Sequence, residues 1–88
     1  MTRVVFSTNF HRSTERIPAK QDTKLARLLE LLQQNPYHPK LHTKVLTGDL
    51  SGFYSFRITR DWRVFFQFLD PGTIQLLRVV HRRDAYRA

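Results

Sequence analysis

Residues 53–81 read FYSFRITRDWRVFFQFLDPGTIQLLRVVH, and the fold turns on how this stretch is divided. Three runs, Phe53 to Ile58, Trp62 to Leu69 and Thr73 to His81, are rich in the aromatic and β-branched residues that suit a pleated, half-buried surface. Thr59-Arg60-Asp61 and Asp70-Pro71-Gly72 separate them, and both are built of turn residues. The spacing predicts an antiparallel meander of three strands.

Side chains alternate along a strand, so loop length decides which residues share a face. A three-residue first loop sets Arg57 opposite Arg63 and gathers Tyr54, Phe56, Ile58, Trp62, Val64, Phe66 and Phe68 on one apolar face. A tight second loop at Pro71-Gly72 pairs Val80 with Arg63. Arg78 and Arg82 then join the side of Arg63, while Leu77 and Val79 join the apolar face. A two-residue first turn would instead send Arg57 and Arg63 to opposite faces.

Upstream of the meander, Arg3 to Ser7 reads as a strand, and Asn9 or Ser13 is placed to cap a short helix ending before Pro18. Leu25, Leu28, Leu29 and Leu32 fall at i, i+3, i+4 and i+7, one face of a helix between Pro18 and Asn35. Asn35-Pro36-Tyr37-His38-Pro39 divides this helical part from the β part. The expected fold is α+β: an N-terminal strand, one or two helices, then an antiparallel meander with the helices packed on one face. The other face is left open or half open.

At 88 residues the chain is expected to form a single domain, 1–88. Seven Phe, three Tyr and one Trp, with 41% hydrophobic residues, give it material for a core. The absence of Cys excludes disulfides, thiolate metal sites and cysteine catalysis. No stretch approaches the apolar length of a membrane span, and the N-terminal apolar run is too short for a signal peptide, so a cytoplasmic location is expected. Fifteen Lys+Arg against seven Asp+Glu leave a net charge of +8. Such a chain is drawn to polyanions: nucleic acid, an anionic membrane surface or an acidic protein. A basic surface tuned only for solubility is the plainer reading.

Every basic residue after Lys44, histidine aside, is Arg, whose planar fork holds phosphate at two points and keeps its charge. Buried, unpaired guanidinium groups are costly, so an internal Arg in each apolar strand asks for an explanation. One explanation is an arginine-lined phosphate site made of Arg57, Arg63, Arg78 and Arg82. The other is that these residues snorkel at sheet edges or pair with Asp49, Asp61 and Asp84.

Three strings, Leu46-Thr47-Gly48-Asp49-Leu50-Ser51-Gly52-Phe53-Tyr54-Ser55-Phe56-Arg57-Ile58, then Trp62-Arg63-Val64-Phe65-Phe66, and His81-Arg82-Arg83-Asp84-Ala85-Tyr86-Arg87, follow one another in this short basic chain. These strings and the order of elements resemble the RelE/ParE toxin superfamily of bacterial toxin–antitoxin systems. The resemblance implies a RelE-like fold and one of two activities. RelE-like members cut messenger RNA in the ribosomal decoding site without a metal; ParE-like members inhibit DNA gyrase and are not nucleases. A degenerate, inactive member is a third possibility.

The RelE-like branch cleaves by attack of a ribose 2′-hydroxyl on the adjacent phosphate, leaving a cyclic phosphate and a 5′-hydroxyl. Cations neutralise the developing charge, and two protons must move. Carried over by position, Arg63 would bind the scissile phosphate and Arg82 would stabilise the transition state. Tyr86 would orient the 2′-hydroxyl or stack on a base. Arg57 falls at a basic position on the preceding strand, and Arg78, Arg83 and Lys44 complete the expected RNA contacts. His81 is the one imidazole of the set, hence a candidate general acid or base, although its parity points it away from Arg82. Ser55 stands where the ribonuclease branch often carries a lysine; Arg83 or Lys44 is placed to compensate.

The implied partners are a cognate antitoxin with an acidic, partly helical segment, the messenger RNA and the ribosome; neither a membrane nor a cofactor is called for. No metal is expected, because Pro36 and Pro39 argue against a helix that would align His38 with His42. Ser13, Ser51 and Ser55 lack a triad pattern, and the three Gly form no phosphate-cradling loop.

Overall fold

The computed structural model describes residues 1–18 and 21–85. In chain order the elements are strand β1 (Arg3–Phe6), helix α1 (Thr8–Ser13), helix α2 (Asp22–Gln34), strand β2 (Lys44–Val45), and strands β3 (Tyr54–Arg57), β4 (Trp62–Asp70) and β5 (Thr73–His81). Short 3₁₀ turns at Thr14–Arg16, Pro39–Leu41 and Gly48–Leu50 join them. One five-stranded sheet runs in the order β1-β5-β4-β3-β2. The meander of β3, β4 and β5 is antiparallel; β1 returns beside β5 in parallel. The α+β expectation is met, with β2 as an additional edge strand of two residues that the periodicity did not announce.

The helices cover one face of the sheet because both surfaces there are apolar. Leu25, Leu28 and Leu32 of α2 pack with Leu41 against Phe56, Val64, Phe66, Ile74, Leu76 and Val79, all buried. Tyr54, Trp62 and Phe68 border that core, and Tyr54 stacks on Phe66 with ring centroids 5.5 Å apart. Stacked and tilted aromatic pairs of this kind contribute beyond the area they bury.

Beyond Leu76, β1 no longer covers β5, and α1 takes over the exposed strand edge. Ser13 Oγ accepts the Val79 N–H at 2.8 Å and donates to Phe10 O at 2.9 Å. Ser7 Oγ donates to Leu77 O at 2.8 Å and accepts the Phe10 N–H at 3.1 Å. Two hydroxyls thus substitute for a missing ladder, which is how an edge is blunted against pairing with another chain. This corrects the expected helix cap: Ser7, still extended after β1, caps α1, while Asn9 and Ser13 lie inside it.

The β4–β5 register carries two compensating irregularities. Asp70 pairs with Thr73, but Phe68 pairs with Ile74, leaving Leu69 as an extra residue on β4. Phe66 pairs with Leu76 and Phe65 with Arg78, leaving Leu77 as an extra residue on β5. The second bulge cancels the first, so Val80 faces Arg63 as a tight loop requires. Between the bulges the parity is reversed. Leu77 therefore packs with Phe65 on the far side of the sheet, which corrects its expected position under the helices, and Leu76 fills that place.

The face away from the helices is half covered. Leu46, Phe65, Val80 and Ala85 form a second, smaller buried cluster, bordered by Leu50, Phe53 and Leu77. Gly48 and Gly52, at φ 64° and 94°, allow the chain between Leu46 and Phe53 to double back, and the Leu46 N–H then donates to Phe53 O at 3.0 Å.

Candidate functional site

On the half-covered face two rows of side chains cross the sheet. In the first, Lys44, Ser55, Phe65 and Arg78 are successive register partners from β2 to β5. In the second, Arg57, Arg63 and Val80 are partners from β3 to β5. The three-residue loop Thr59-Arg60-Asp61 sets this register, closed by Ile58 N–H donating to Trp62 O at 2.9 Å. Directly opposed Cβ atoms stand about 5 Å apart, so Arg57 and Arg63 run side by side.

Their environment is unusual for two cations. Both residues are half-buried, and the Nε of each is buried with no hydrogen-bond partner among the described residues. Among those residues the ion pairs are Arg16 with Asp84 at 3.9 Å and Arg82 with Asp61 at 3.7 Å; neither involves Arg57 or Arg63. No acceptor among the described residues offsets the burial of these two Nε atoms. An anion meeting both guanidinium heads would satisfy them with charge-assisted hydrogen bonds.

The remaining expected site residues divide between this face and its rim. Arg78 is exposed and holds its guanidinium 5.4 Å from the centroid of the Phe65 ring, a cation–π contact on the side of Arg63. Lys44 is exposed beside Ser55, whose own side chain is buried. Arg82 extends the β4–β5 ladder by one step, its N–H donating to Asp61 O at 2.7 Å, and its half-exposed side chain pairs with the Asp61 carboxylate. Pairing with Asp61 and Asp84 thus holds for Arg82 and Arg16, and not for the two arginines at the centre.

His81 lies elsewhere. Its ring meets Trp62 edge to face at 5.0 Å, and its Nδ1 accepts the Arg83 N–H at 3.1 Å. With Arg16, Arg83 and Asp84 these two residues line an open depression of about 620 Å³ at the rim. Lys44 is the register partner of Ser55, and Arg83 lines the depression beside His81. Tyr86 lies outside the described residues. Sequence reasoning passed over Phe65 as a platform for Arg78, although the register that pairs Val80 with Arg63 already sets Phe65 opposite Arg78. Among the described residues no group of three His, Asp or Glu is arranged to hold a metal, and no helix is long and apolar enough to cross a membrane.

A basic α+β protein with a half-buried arginine pair on the open face of its sheet is the class these features define. The family described as the ParE toxin of the type II toxin–antitoxin system matches residues 4–86, and the chain belongs to that family, within the RelE/ParE superfamily. No curated protein matches the sequence. Among solved structures, YafQ from E. coli strain BL21(DE3) superposes with a TM-score of 0.78 at 18% identity, covering 98% of this chain and 99% of that one. The toxin–antitoxin complex RelBE2 from Mycobacterium tuberculosis gives 0.67 at 28% identity, covering 92% and 98%. The RelB–RelE antitoxin–toxin complex from Methanococcus jannaschii gives 0.74 at 22% identity, covering 93% and 94%.

Proposed function

We propose that this type II toxin is a ribosome-dependent, metal-independent endoribonuclease that cleaves messenger RNA in the cytoplasm and is silenced by a cognate antitoxin. The observation that carries the reading is the Arg57–Arg63 pair, two adjacent guanidinium groups with buried Nε atoms and no acidic partner among the described residues. A phosphodiester is the anion that suits them, since its two free oxygens accept planar, two-point hydrogen bonds.

In the step proposed, the 2′-oxygen forms a bond to phosphorus as its proton leaves, and the bond from phosphorus to the 5′-oxygen breaks as that oxygen gains a proton. The products are a 2′,3′-cyclic phosphate and a 5′-hydroxyl. Arg63, with Arg57, binds the scissile phosphate and neutralises the charge that grows on its oxygens. Arg82 adds its charge to the transition state when it exchanges Asp61 for RNA. Tyr86 orients the 2′-hydroxyl or stacks on a base, a role that rests on its place in the sequence. Lys44, Arg78 and Arg83 bind flanking phosphates. His81, packed against Trp62, is the residue the geometry supports least as proton carrier. Alignment of the message by the ribosome then supplies part of the rate, as positioning can.

The orientation of His81 favours a second reading: a non-enzymatic, ParE-like inhibitor of DNA gyrase needs cations on this face and no proton carrier. Primer extension on a defined messenger in a purified translation system separates the two. Ribosome-dependent cuts that vanish in Arg63→Ala/Arg82→Ala support the ribonuclease. An intact message together with blocked gyrase supercoiling moves the protein to the other branch.

A further inference from the structure

At the end of the β4–β5 ladder, Trp62 and His81 are register partners, and their rings meet edge to face at 5.0 Å. Both are half-buried: Trp62 packs against the main core and, with His81, also lines the open depression of about 620 Å³ at the rim. Arg16, from the 3₁₀ turn after α1, and Arg83, just beyond β5, bring guanidinium groups to the walls. Asp84 completes the lining and pairs with Arg16 at 3.9 Å. The Arg83 N–H occupies His81 Nδ1, so the neutral ring carries its own proton on Nε2. The depression is therefore an aromatic surface ringed by N–H donors, with a single carboxylate among its side chains.

That lining selects among ligands. A lone phosphate would meet Asp84 and leave the Trp62 ring uncovered. An apolar side chain would cover the ring and offer nothing to Arg83. A nucleobase serves both, with a π face for stacking and ring nitrogens and carbonyls that accept from the donors. Consecutive residues of a strand point to opposite faces, so Trp62 and Arg63 stand on the two sides of one strand end. Asp61 and Arg82, one residue beyond the Trp62–His81 pair, close that end with their ion pair. We infer that an RNA strand whose phosphate lies on Arg57 and Arg63 turns around this end of the sheet and seats a neighbouring base on Trp62, beside Arg83. The inference rests on the ribonuclease reading above and gives His81 a part in binding the strand rather than in moving a proton.

The chain has one tryptophan, so its fluorescence reports on this depression directly. The probe is a single-stranded RNA of about six nucleotides, end-labelled for anisotropy and 2′-O-methylated so that it carries no nucleophile. Comparators carry an abasic residue at each position in turn, which removes one base and keeps every phosphate. At about 0.15 M salt, where loose surface attraction is screened, the intact strand is expected to quench Trp62 with the same midpoint as the anisotropy change. At one position the abasic residue should abolish the quench and weaken binding about tenfold, some 1.4 kcal/mol. In Trp62→Leu, which keeps an apolar contact with the core, intact and abasic strands should bind alike. Binding without a quench, a quench that survives every abasic replacement, or an intact-strand preference that persists in Trp62→Leu would each overturn the inference; the first two are read on the wild-type protein and do not depend on the variant folding. Failure of the ribonuclease reading shows separately, as an uncut message while the quench and its abasic dependence stand.

Discussion

Arg57 and Arg63 are direct cross-strand partners, two like charges face to face with the Nε of each buried and without an acceptor among the described residues. Like charges directly opposed in a sheet destabilise it by about 0.2–1 kcal/mol, and stripping water from an unpartnered donor adds to that cost. The fold tolerates the arrangement because the surrounding register is held by Phe56–Val64 on one side and by the Ile58–Trp62 closure on the other. Under the function proposed above, the phosphate that these arginines receive offsets this cost.

Replacing either arginine with methionine, Arg57→Met or Arg63→Met, keeps the packed stem and removes the charge. Each is expected to raise unfolding stability by about 0.5–1 kcal/mol, read as a higher urea midpoint with an unchanged slope, while toxicity is lost. A lower midpoint in both variants would mean that the guanidinium groups hold the sheet together.

Arg82 is held by Asp61 at 3.7 Å across half-exposed side chains, a contact contributing less than about 1 kcal/mol. Arg82→Ala should therefore melt close to wild type and abolish cleavage. Asp61→Asn should tighten RNA binding and steepen its salt dependence by about one counterion, because the released guanidinium is then available to phosphate. Titrating RNA affinity against salt for the wild type and Asp61→Asn decides this.

Much of this arrangement is legible in the chain. Period-two alternation and a three-residue turn suffice to put Arg57 opposite Arg63 and to gather Phe56, Val64 and Phe66 on the helix side. Leu77 escapes such reading because a bulge leaves no mark in an apolar run: Leu76-Leu77 looks alike in either register, and only the packing of Ile74 and Leu76 under α2 selects one. The cap at Ser7 is hidden for a related reason, since its hydroxyl serves both the α1 terminus and Leu77 O, a partner seventy residues away. The covering of the far face by Leu46 and Ala85 depends on the turns at Gly48 and Gly52, whose positive φ values have no hydrophobic periodicity to announce them.

The bulge makes neighbouring leucines unequal. Leu76 has no exposed surface and lies in the main core, so Leu76→Ala is expected to cost about 2–5 kcal/mol. Leu77 borders the smaller cluster and is half-buried, and Leu77→Ala should cost about 1 kcal/mol. Urea denaturation of the two variants measures the difference; the opposite order would indicate an unbulged strand with Leu77 under the helices.

Ser13 offers the sharpest test of how the β5 edge is closed. Its hydroxyl accepts the Val79 N–H at 2.8 Å, and among the described residues no strand lies beside Val79 to replace it on that edge. Ser13→Ala removes little volume but leaves that amide unsatisfied beside a buried side chain, an expected loss of about 1–3 kcal/mol. The effect should be local before it is global. Hydrogen exchange at the Val79 amide should accelerate well beyond that at Val64 and Phe66 in the neighbouring strand, because opening the α1–β5 contact exposes Val79 without disturbing the β3–β4 pairing. Uniform acceleration across β4 and β5 would show instead that α1 and the sheet open together.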